Sequence, residues 1–383
     1  MNNKQKIYFF SEKNVEGNKD MFSLLGGKGA NIAEMCSLKL PVPPGFTITT
    51  EECVSYLKEK KLSPALKRDI EKNIKKVESV SGKLFGGDDP LLLSVRSGAP
   101  VSMPGMMETV LNIGLTQKTI PLLIKKTKNE KFVYDSYRRF IMMYSDVVME
   151  KGLRKNKTGQ PIRDQMEKLL DQMKKKNGYK NDSAVSSESW EGLAKQYLSL
   201  YEKTFNEQFP EDHTEQLHGA VRAVFSSWNG KRAKEYRTFE KIPSNMGTAV
   251  NVQAMVFGNM GTGCGTGVAF TRNPSSGDKS FYGEWLENAQ GEDVVAGVRT
   301  PHPILKKDGS ENSLEHVLPK AFKELNTIRT KLEKHFMDMQ DIEFTVENKK
   351  LWMLQTRRGK RTGMASIKTV SYTHLTLPTT STV

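Results

Sequence analysis

The segment DIEFTVENKKLWMLQTR, residues 341–357, alternates apolar and polar side chains as a β-strand does. The polar run at 347–350 predicts a turn, so the segment is predicted to form a β-hairpin. Asp341 and Glu343 are two residues apart on the first strand, which places both carboxylates on one face. Neighbouring carboxylates repel each other unless a cation lies between them, and Mg²⁺ carrying phosphate oxygens meets that need.

The second strand of this hairpin is predicted to bring further polar groups to the same pocket. Gln355 and Arg357 share one face, so an amide and a guanidinium would converge there. The other face would be the buried one, formed by Ile342, Phe344, Trp352 and Leu354. The alternative is a polar hairpin face that merely meets solvent; the apolar set opposite favours the metal site.

A glycine-rich turn precedes a helical pattern in LLGGKGANIAEM, residues 24–35. Such a turn can present backbone N–H groups, a helix N-terminus and the Lys28 ammonium to a phosphate group. The spacing is not that of a P-loop, and glycines often serve only to turn the chain. This segment alone leaves both interpretations open.

An arginine follows an apolar strand in SVRSGAPVSMPGMMETVLNIGL, residues 94–115. At the end of a strand, Arg96 can direct two hydrogen bonds at phosphoryl oxygens. The alternative is an ion pair with Glu108, and the sequence does not decide between the two.

In the segment GNMGTGCGTGVAFTRNPSSG, residues 258–277, five glycines crowd positions 258–267. A loop of this composition suits a flap over a triphosphate, because any side chain would hold the backbone away from the phosphates. The alternative is a disordered hairpin tip.

The texture of the chain predicts a mixed α/β protein. Residues 1–110 read as mixed α/β, 111–245 as a largely helical insertion, and 246–357 as a region where the sheet returns. In the last of these, TAVNVQAMVF alternates as a half-buried strand does. Residues 358–370 would begin a linker, and the Thr-rich stretch 371–383 reads as a non-native tail.

Composition narrows the classes of function. Of the 383 residues, 37% are hydrophobic and 27% are charged, a composition typical of soluble globular proteins. The formal net charge of +14 would suit nucleic acid, but the lysines alternate with Glu and Asp on helix-like stretches, which favours solvated helix faces. No apolar run is long enough to span a membrane, and the first residues lack the pattern of a secretory signal. We therefore expect a cytoplasmic protein that binds neither nucleic acid nor membranes.

Taken together, these motifs resemble the pyruvate, phosphate dikinase family, in family order and over residues 1 to about 365. Further segments that carry the resemblance are LPVPPGFTITTE, YDSYRRF, NAQGEDVVAGVRTP and DMQDIEF. The resemblance implies an ATP-grasp nucleotide-binding fold with a helical insertion, ATP held between two lobes, and Mg²⁺ at the phosphates. The family uses ATP and phosphate to phosphorylate a histidine, which then converts pyruvate to phosphoenolpyruvate.

The resemblance also implies roles for individual residues. Lys28, Arg96 and Arg357 would be catalytic cations that contact phosphate, and Asp341 and Glu343 would bind the metal. The ATP-binding set would also contain Gln355 and eight other residues. These are Gly105, Arg139, Thr266, Gly267, Ser275, Glu284, Glu292 and Asp293, of which the last three would hold the ribose or orient phosphate and metal.

The carrier histidine of the family lies in a separate domain. None of the six histidines here has its Thr-Ser-His-Ala-Ala context, so the expected partner is a phosphohistidine carrier domain outside this chain. The chain should then bind Mg·ATP and phosphate without making phosphoenolpyruvate by itself, and the whole enzyme could be a homodimer. A fragment of a phosphoenolpyruvate synthase and a non-catalytic nucleotide-binding module are the alternatives.

Overall fold

The computed structural model describes residues 5–103, 105–153, 156, 159–295, 297, 299–306 and 310–374. The chain divides into two compact units. The first comprises Met1–Glu34 and Pro44–Met255, and the second comprises Met35–Pro43 and Val256–Val383. Within the described ranges, no helix has the length and apolar character needed to cross a lipid bilayer. The segment limits that we predicted from sequence texture remain predictions.

The first unit contains an antiparallel sheet of five strands in the order β1-β2-β5-β3-β4. The strands are β1 (Ile7–Phe10), β2 (Gly45–Ile48), β3 (Leu93–Gly98), β4 (Thr109–Ile113) and β5 (Ala249–Ala254). The prediction of a half-buried strand at TAVNVQAMVF is wrong, because every residue of β5 is buried. The strand lies in the middle of the sheet, with elements packed on both faces, so its polar residues Asn251 and Gln253 are enclosed as well.

Helices make up most of the rest of the first unit. They are α1 (Phe22–Ser37, which ends in the second unit), α2 (Thr50–Glu59), α3 (Pro64–Ser81), α4 (Thr119–Thr127), α5 (Glu130–Met143), α6 (Ile162–Asn177), α7 (Ser187–Phe205), α8 (His213–Ser227) and α9 (Lys231–Phe239). A π-helix (Tyr144–Gly152) continues α5, and a 3₁₀ turn (Asp182–Ala184) precedes α7. Edge-to-face contacts of Phe209 with Phe140, Tyr144 and Tyr201 build the aromatic core of this helical part.

The second unit contains another antiparallel sheet, in the order β10-β9-β6-β7-β8. Its strands are β6 (Gly265–Phe270), β7 (Tyr282–Glu287), β8 (His302–Pro303), β9 (Gln340–Glu347) and β10 (Lys350–Arg358). Its helices are α10 (Gly291–Val295), α11 (Leu314–Val317), α12 (Pro319–Phe336) and α13 (Gly363–His374). Helix α12 buries Leu325, Ile328 and Leu332 and packs against β9 and β10.

The predicted hairpin is confirmed: β9 and β10 pair, and positive φ angles at Asn348 (49°) and Lys349 (66°) form the two-residue turn. The predicted buried face of β10 is wrong. Met353 pairs with Phe344 and Leu351 with Val346, and both β10 residues are fully buried. Trp352 pairs with Thr345 on the other face, and Leu354 is the extra residue of a β-bulge, so neither belongs to the core face.

Two further expectations change in detail. The glycine-rich segment is only partly a loop, because Gly265 and Gly267 lie in β6, where side chains would collide with Trp285 and Phe344. The loop proper, residues 256–264, is called the glycine loop below. Helix α13 continues through Ser371 to His374, so the helix does not break there; the rest of the tail predicted to be non-native, residues 375–383, lies outside the described residues.

Candidate functional site

A row of polar residues crosses the β9–β10 hairpin. Asp341 lies opposite Arg357, and Glu343 lies opposite Gln355. Because residues that pair across antiparallel strands point to the same face, all four side chains share one face of the sheet, as predicted. The guanidinium Nε of Arg357 lies 2.7 Å from Oδ2 of Asp341, which makes a charge-assisted hydrogen bond.

The bulge at Leu354 is what aligns this row. The turn pairs Lys350 with Glu347, and if that register continued without a break, Leu354 would lie opposite Glu343. The extra residue shifts the pairing by one position and turns Gln355 and Arg357 to the face of the carboxylates. The four groups were predicted to lie together, but the bulge that brings them together was not predicted.

The electrostatics of the row favour a bound cation. Burial raises the pKa of the Asp341 carboxyl above its usual value, the Arg357 guanidinium opposes that shift, and the nearby Glu343 adds to it. Neither the Glu343 carboxylate nor the Gln355 amide makes a hydrogen bond or ion pair within the described part of the chain. Carboxylate and amide oxygens are thus available on one face.

These groups fit Mg²⁺ better than a metal that requires a full protein cage. Within the described ranges, three or more His, Cys, Asp or Glu residues nowhere cluster as metal ligands. Mg²⁺ is commonly held by one or two carboxylates together with phosphate oxygens and water. Asp341 and Glu343 provide that number of carboxylates.

Other residues of the predicted set in the second unit lie at varied distances from this row. Glu284 is exposed and shares its face, since it pairs with Val268, which pairs with Glu343. That places Glu284 two strand spacings, or about 9.6 Å, from Glu343. Thr266 is buried and donates its hydroxyl to the Phe344 carbonyl at 3.1 Å. Gly267 lies on the opposite face, where Phe344 occupies the space of its missing side chain.

The remaining three are outside the row. Ser275 is exposed in a turn organised by Asn273, whose side-chain oxygen accepts from the Ser275 N–H at 2.8 Å. Glu292 and Asp293 occupy the first turn of the short helix α10, where Asp293 accepts a hydrogen bond from the Gln290 N–H. The described contacts do not join any of these three to Asp341 or Glu343.

The first unit carries the other predicted cations. Helix α1 is broken at Gly26 (φ 67°, ψ 166°), and the Gly27 N–H donates to the Ala99 carbonyl at 3.0 Å. A side chain at Gly26 would lie 1.7 Å from the Gly98 carbonyl oxygen, so only glycine permits this approach. The Cβ of Lys28 is 3.4 Å from the position a Gly98 Cβ would take, which puts Lys28 beside the end of β3.

Arg96 lies on that same strand, two residues before Gly98 and on the same face. Its guanidinium makes no hydrogen bond or ion pair within the described ranges. The alternative partner, Glu108, is instead 3.2 Å from the Lys151 ammonium. Lys28 and Arg96 are therefore brought together on one face of the first sheet, and Arg96 is not neutralised by Glu108.

Gly105 and Arg139 differ from this pair. Gly105 is exposed, has a positive φ of 69°, and has no atoms within 4 Å of where a side chain would begin. Arg139 is part of an ionic cluster on α5, with its Nε 3.1 Å from Asp135 and its Nη2 3.6 Å from Asp182. The charge of Arg139 is thus partly balanced within the helical part, since Arg138 pairs with the same two carboxylates.

The comparison with known protein families identifies the group to which these features belong. The model of "Pyruvate phosphate dikinase, AMP/ATP-binding domain" matches residues 22–84, 63–320 and 305–374. The chain belongs to this dikinase family. The family that the sequence motifs predicted is therefore confirmed.

Curated members of the dikinase family are similar along nearly all of the chain. Pyruvate, phosphate dikinase of Clostridium symbiosum is 51% identical over 356 residues, which are 92% of this chain and 39% of that protein. The enzyme of Rhizobium meliloti (strain 1021) is 49% identical over 94% of this chain and 40% of its own length. Pyruvate, phosphate dikinase 1, chloroplastic, of Arabidopsis thaliana is 48% identical over 95% of this chain and 36% of its own length. The chain thus spans about two fifths of these relatives.

Three groups that support these sites were not predicted from the sequence. Glu347 accepts a hydrogen bond from the backbone of the glycine loop, and Lys151 forms an ion pair with Glu108. Asn251 accepts a hydrogen bond from the Thr47 hydroxyl at 2.8 Å, and both side chains lie against Gly29. The only sequence signal was a polar residue within an apolar strand at Asn251. The other two depend on contacts between distant segments, which no local pattern reveals.

Proposed function

We propose that this chain binds Mg·ATP and forms the nucleotide-binding, phosphoryl-transferring N-terminal part of a pyruvate, phosphate dikinase. The observation that carries the proposal is the row in which Asp341 and Glu343 face Gln355 and Arg357. Membership of the AMP/ATP-binding domain family supports it. We extend the proposal to the fold and assign the chain to the ATP-grasp class.

In the proposed site, Asp341 and Glu343 bind the metal and Gln355 assists them. Mg²⁺ neutralises charge on the phosphates when it is bound. Arg357, which pairs with Asp341, would turn its remaining N–H groups toward a phosphoryl oxygen. These residues would position and stabilise the phosphates during attack at phosphorus, where phosphoryl transfer depends mostly on orientation and charge.

Lys28 and Arg96 supply the proposed phosphate contacts of the first unit. Lys28 follows the break in α1, so an ammonium and backbone N–H groups at the start of a helical segment lie close together. The Arg96 guanidinium has two edges that can each donate to phosphate, and no described carboxylate occupies them. The remaining predicted ATP-binding residues keep their proposed roles.

For the whole protein we propose the reaction of the relatives: ATP, phosphate and pyruvate are converted to AMP, diphosphate and phosphoenolpyruvate. The phosphoryl acceptor would be the histidine of a carrier domain outside this chain. A homodimer and a cytoplasmic location are further parts of this proposal. Mixing the chain with a separately expressed carrier domain, phosphate and β-labelled ATP tests the transfer itself, because the γ-phosphoryl group leaves in diphosphate and the β-phosphoryl group stays on the histidine.

Titration calorimetry with ATP, with and without Mg²⁺, tests the nucleotide site. The native chain is expected to bind ATP in a metal-dependent manner, and the Asp341→Ala, Glu343→Ala double variant is expected to lose that dependence. A Glu311→Ala, Glu315→Ala variant is the matched control, because it removes the same charge on other segments of the second unit. No binding by a folded native chain would contradict the proposal.

A further inference from the structure

We propose that Glu347 is a positioning residue that fixes the glycine loop, residues 256–264, to the strand that carries the metal-binding carboxylates. This inference rests on the proposed function, since it takes the glycine loop to act on bound nucleotide. Glu347 touches no reacting group in the proposal; it acts through the backbone of the loop.

The anchor is a hydrogen bond at the start of the glycine loop. Oε1 of Glu347 accepts from the Phe257 N–H at 2.9 Å. The acceptor carries a formal charge and Phe257 is buried, so this bond is stronger than one between neutral groups in water. It holds the first residues of the glycine loop beside the end of β9.

The end of the glycine loop is held by the hairpin turn that follows Glu347. The Lys349 N–H donates to the Gly263 carbonyl at 2.8 Å, and the Asn348 N–H donates to the Cys264 sulfur at 3.2 Å. Both donors belong to the two residues with positive φ, so the turn presents its N–H groups outward to the loop. The start and the end of the loop are thus attached to three consecutive residues.

The other side of the loop is attached after β7. The Gly261 N–H donates to the Asn288 side chain at 3.1 Å, and the Ala289 N–H donates to the Gly258 carbonyl at 2.9 Å. Gly261 has a φ of 125° and no atom within 4 Å of where a side chain would begin, so the tip of the loop is held through its backbone alone. The loop is therefore a glycine tip on a fixed base.

The position of Glu347 explains why this base matters for the metal row. Glu347 is four residues from Glu343 and six from Asp341 on β9, so all three side chains project from the same face. The distance from Glu343 along the strand is about 13 Å. The loop base and the two carboxylates are therefore attached to one strand, and losing the Glu347 bond would let the loop base shift relative to Asp341 and Glu343.

The charge of Glu347 allows a clean test. Removing a carboxylate should by itself favour an anionic ligand such as ATP, because one repulsive charge is lost. A fall in ATP affinity in Glu347→Ala must then come from the lost anchor. Glu347→Gln removes the same charge but keeps an oxygen that can accept from Phe257, which makes it the matched control.

The experiment combines amide hydrogen exchange of residues 256–264 with calorimetry of Mg·ATP binding, on the native chain and both variants. We expect Glu347→Ala to exchange the Phe257 amide about tenfold faster and to bind Mg·ATP about three- to tenfold more weakly. Glu347→Gln is expected to stay within about twofold of the native chain in both measurements.

Two results would overturn the inference. Unchanged exchange at Phe257 in Glu347→Ala would show that the bond does not anchor the loop. Faster exchange with unchanged Mg·ATP affinity would show that the loop base does not serve the nucleotide. If the native chain does not bind Mg·ATP at all, the proposed function fails, while the exchange measurement still reports separately on the anchor.

Discussion

Arg357 and Asp341 lie directly opposite each other on β10 and β9, with 2.7 Å between Nε and Oδ2. The arginine is half exposed and the aspartate is buried, so a cation at the surface neutralises a carboxylate that the fold has withdrawn from water. Any metal ion that binds Asp341 must share this carboxylate with Arg357. The stability of the fold and the affinity for a cation therefore oppose each other at this position.

Replacing Glu343 by Gln should change the stability of the fold and the affinity for Mg·ATP in opposite directions. Glu343 raises the pKa of Asp341, so Glu343→Gln should lower that pKa and stabilise the fold at neutral pH by about 0.5–1 kcal/mol. The same change should weaken Mg·ATP binding, because one of the two proposed metal ligands is lost. Urea unfolding and calorimetry at pH 7 measure the two effects.

The pH dependence of this gain follows from the sign of the Asp341 shift. A carboxyl whose folded pKa is raised favours the fold at low pH, and that contribution is lost as the pH rises through the folded pKa. The advantage of Glu343→Gln should therefore be absent near pH 3 and appear as the pH rises. A gain that is equal at pH 3 and pH 7 would contradict the coupling.

Two alanine substitutions in β10 distinguish the bulged register from a regular one. Met353 is fully buried against Phe344, so Met353→Ala should cost about 2–4 kcal/mol of unfolding free energy. Leu354 is the partly exposed bulge residue, so Leu354→Ala should cost about 1 kcal/mol or less. A hairpin that kept Gln355 and Arg357 beside the carboxylates without the bulge would place Leu354 on the core face and Met353 on the polar face, and would give the opposite order in urea denaturation.

The two arginines Arg96 and Arg272 should separate binding from stability. Arg96 has no described ion pair, so Arg96→Met should leave the unfolding free energy within about 0.5 kcal/mol and weaken ATP binding about 10- to 100-fold. Arg272 is buried and donates two bonds to Glu333, so Arg272→Met should cost about 3 kcal/mol of stability. Thermal unfolding and calorimetry on both variants check this, and an Arg96 variant that unfolds early would contradict it.

The hairpin could be predicted from the sequence because its determinants are local. Alternation of period two, a polar turn and paired carboxylates all lie within residues 341–357. The bulge at Leu354 could not be predicted, since strict alternation assumes a regular strand and an extra residue is visible only in the pairing of β10 with β9. Without this extra residue, alternation counted back from Gln355 places Leu354 and Trp352 on the core face, which is the error made for both residues.

Burial and ionic partners were harder to predict for a different reason. Alternation in β5 predicted one solvent-exposed face. A central strand with elements packed on both faces has no such face, and the polar residue Asn251 is accordingly buried. The pairing of Glu108 with Lys151, and of Arg139 with Asp182, joins residues that are remote in sequence. Such contacts depend on the tertiary fold, so the sequence left Arg96 with two alternatives.

Glycines at two of the turns should differ sharply in their tolerance of alanine. At Gly26 the new Cβ would lie 1.7 Å from a backbone oxygen at a φ of 67°, so Gly26→Ala should cost about 3 kcal/mol or more. Gly105 has a similar φ but open surroundings, so Gly105→Ala should cost only about 1 kcal/mol. Equal shifts of the unfolding midpoint in urea would mean that the close approach of α1 to Gly98 is not required.

Lys151 should stabilise the entry to β4, which follows the loop containing Gly105. Its ammonium lies 2.9 Å from the buried Asp146 and 3.2 Å from Glu108. Burial lowers the pKa of Lys151, but the hydrogen bond to Asp146 and the charge of Glu108 outweigh that effect and raise it overall. A lysine with a raised folded pKa stabilises the fold below its unfolded pKa and loses that contribution as the pH rises through the folded value.

Lys151→Met should therefore destabilise the protein by about 1 kcal/mol at pH 7, a modest value because the ammonium is partly exposed and screened. Lys151→Arg should recover most of that loss, since a guanidinium can reach both carboxylates. The difference between native and Lys151→Met should shrink only above about pH 10.5, where lysine loses its proton. Urea unfolding from pH 7 to 11 tests this; a difference that vanishes near pH 8 would assign the stabilisation to packing of the lysine side chain instead of its charge.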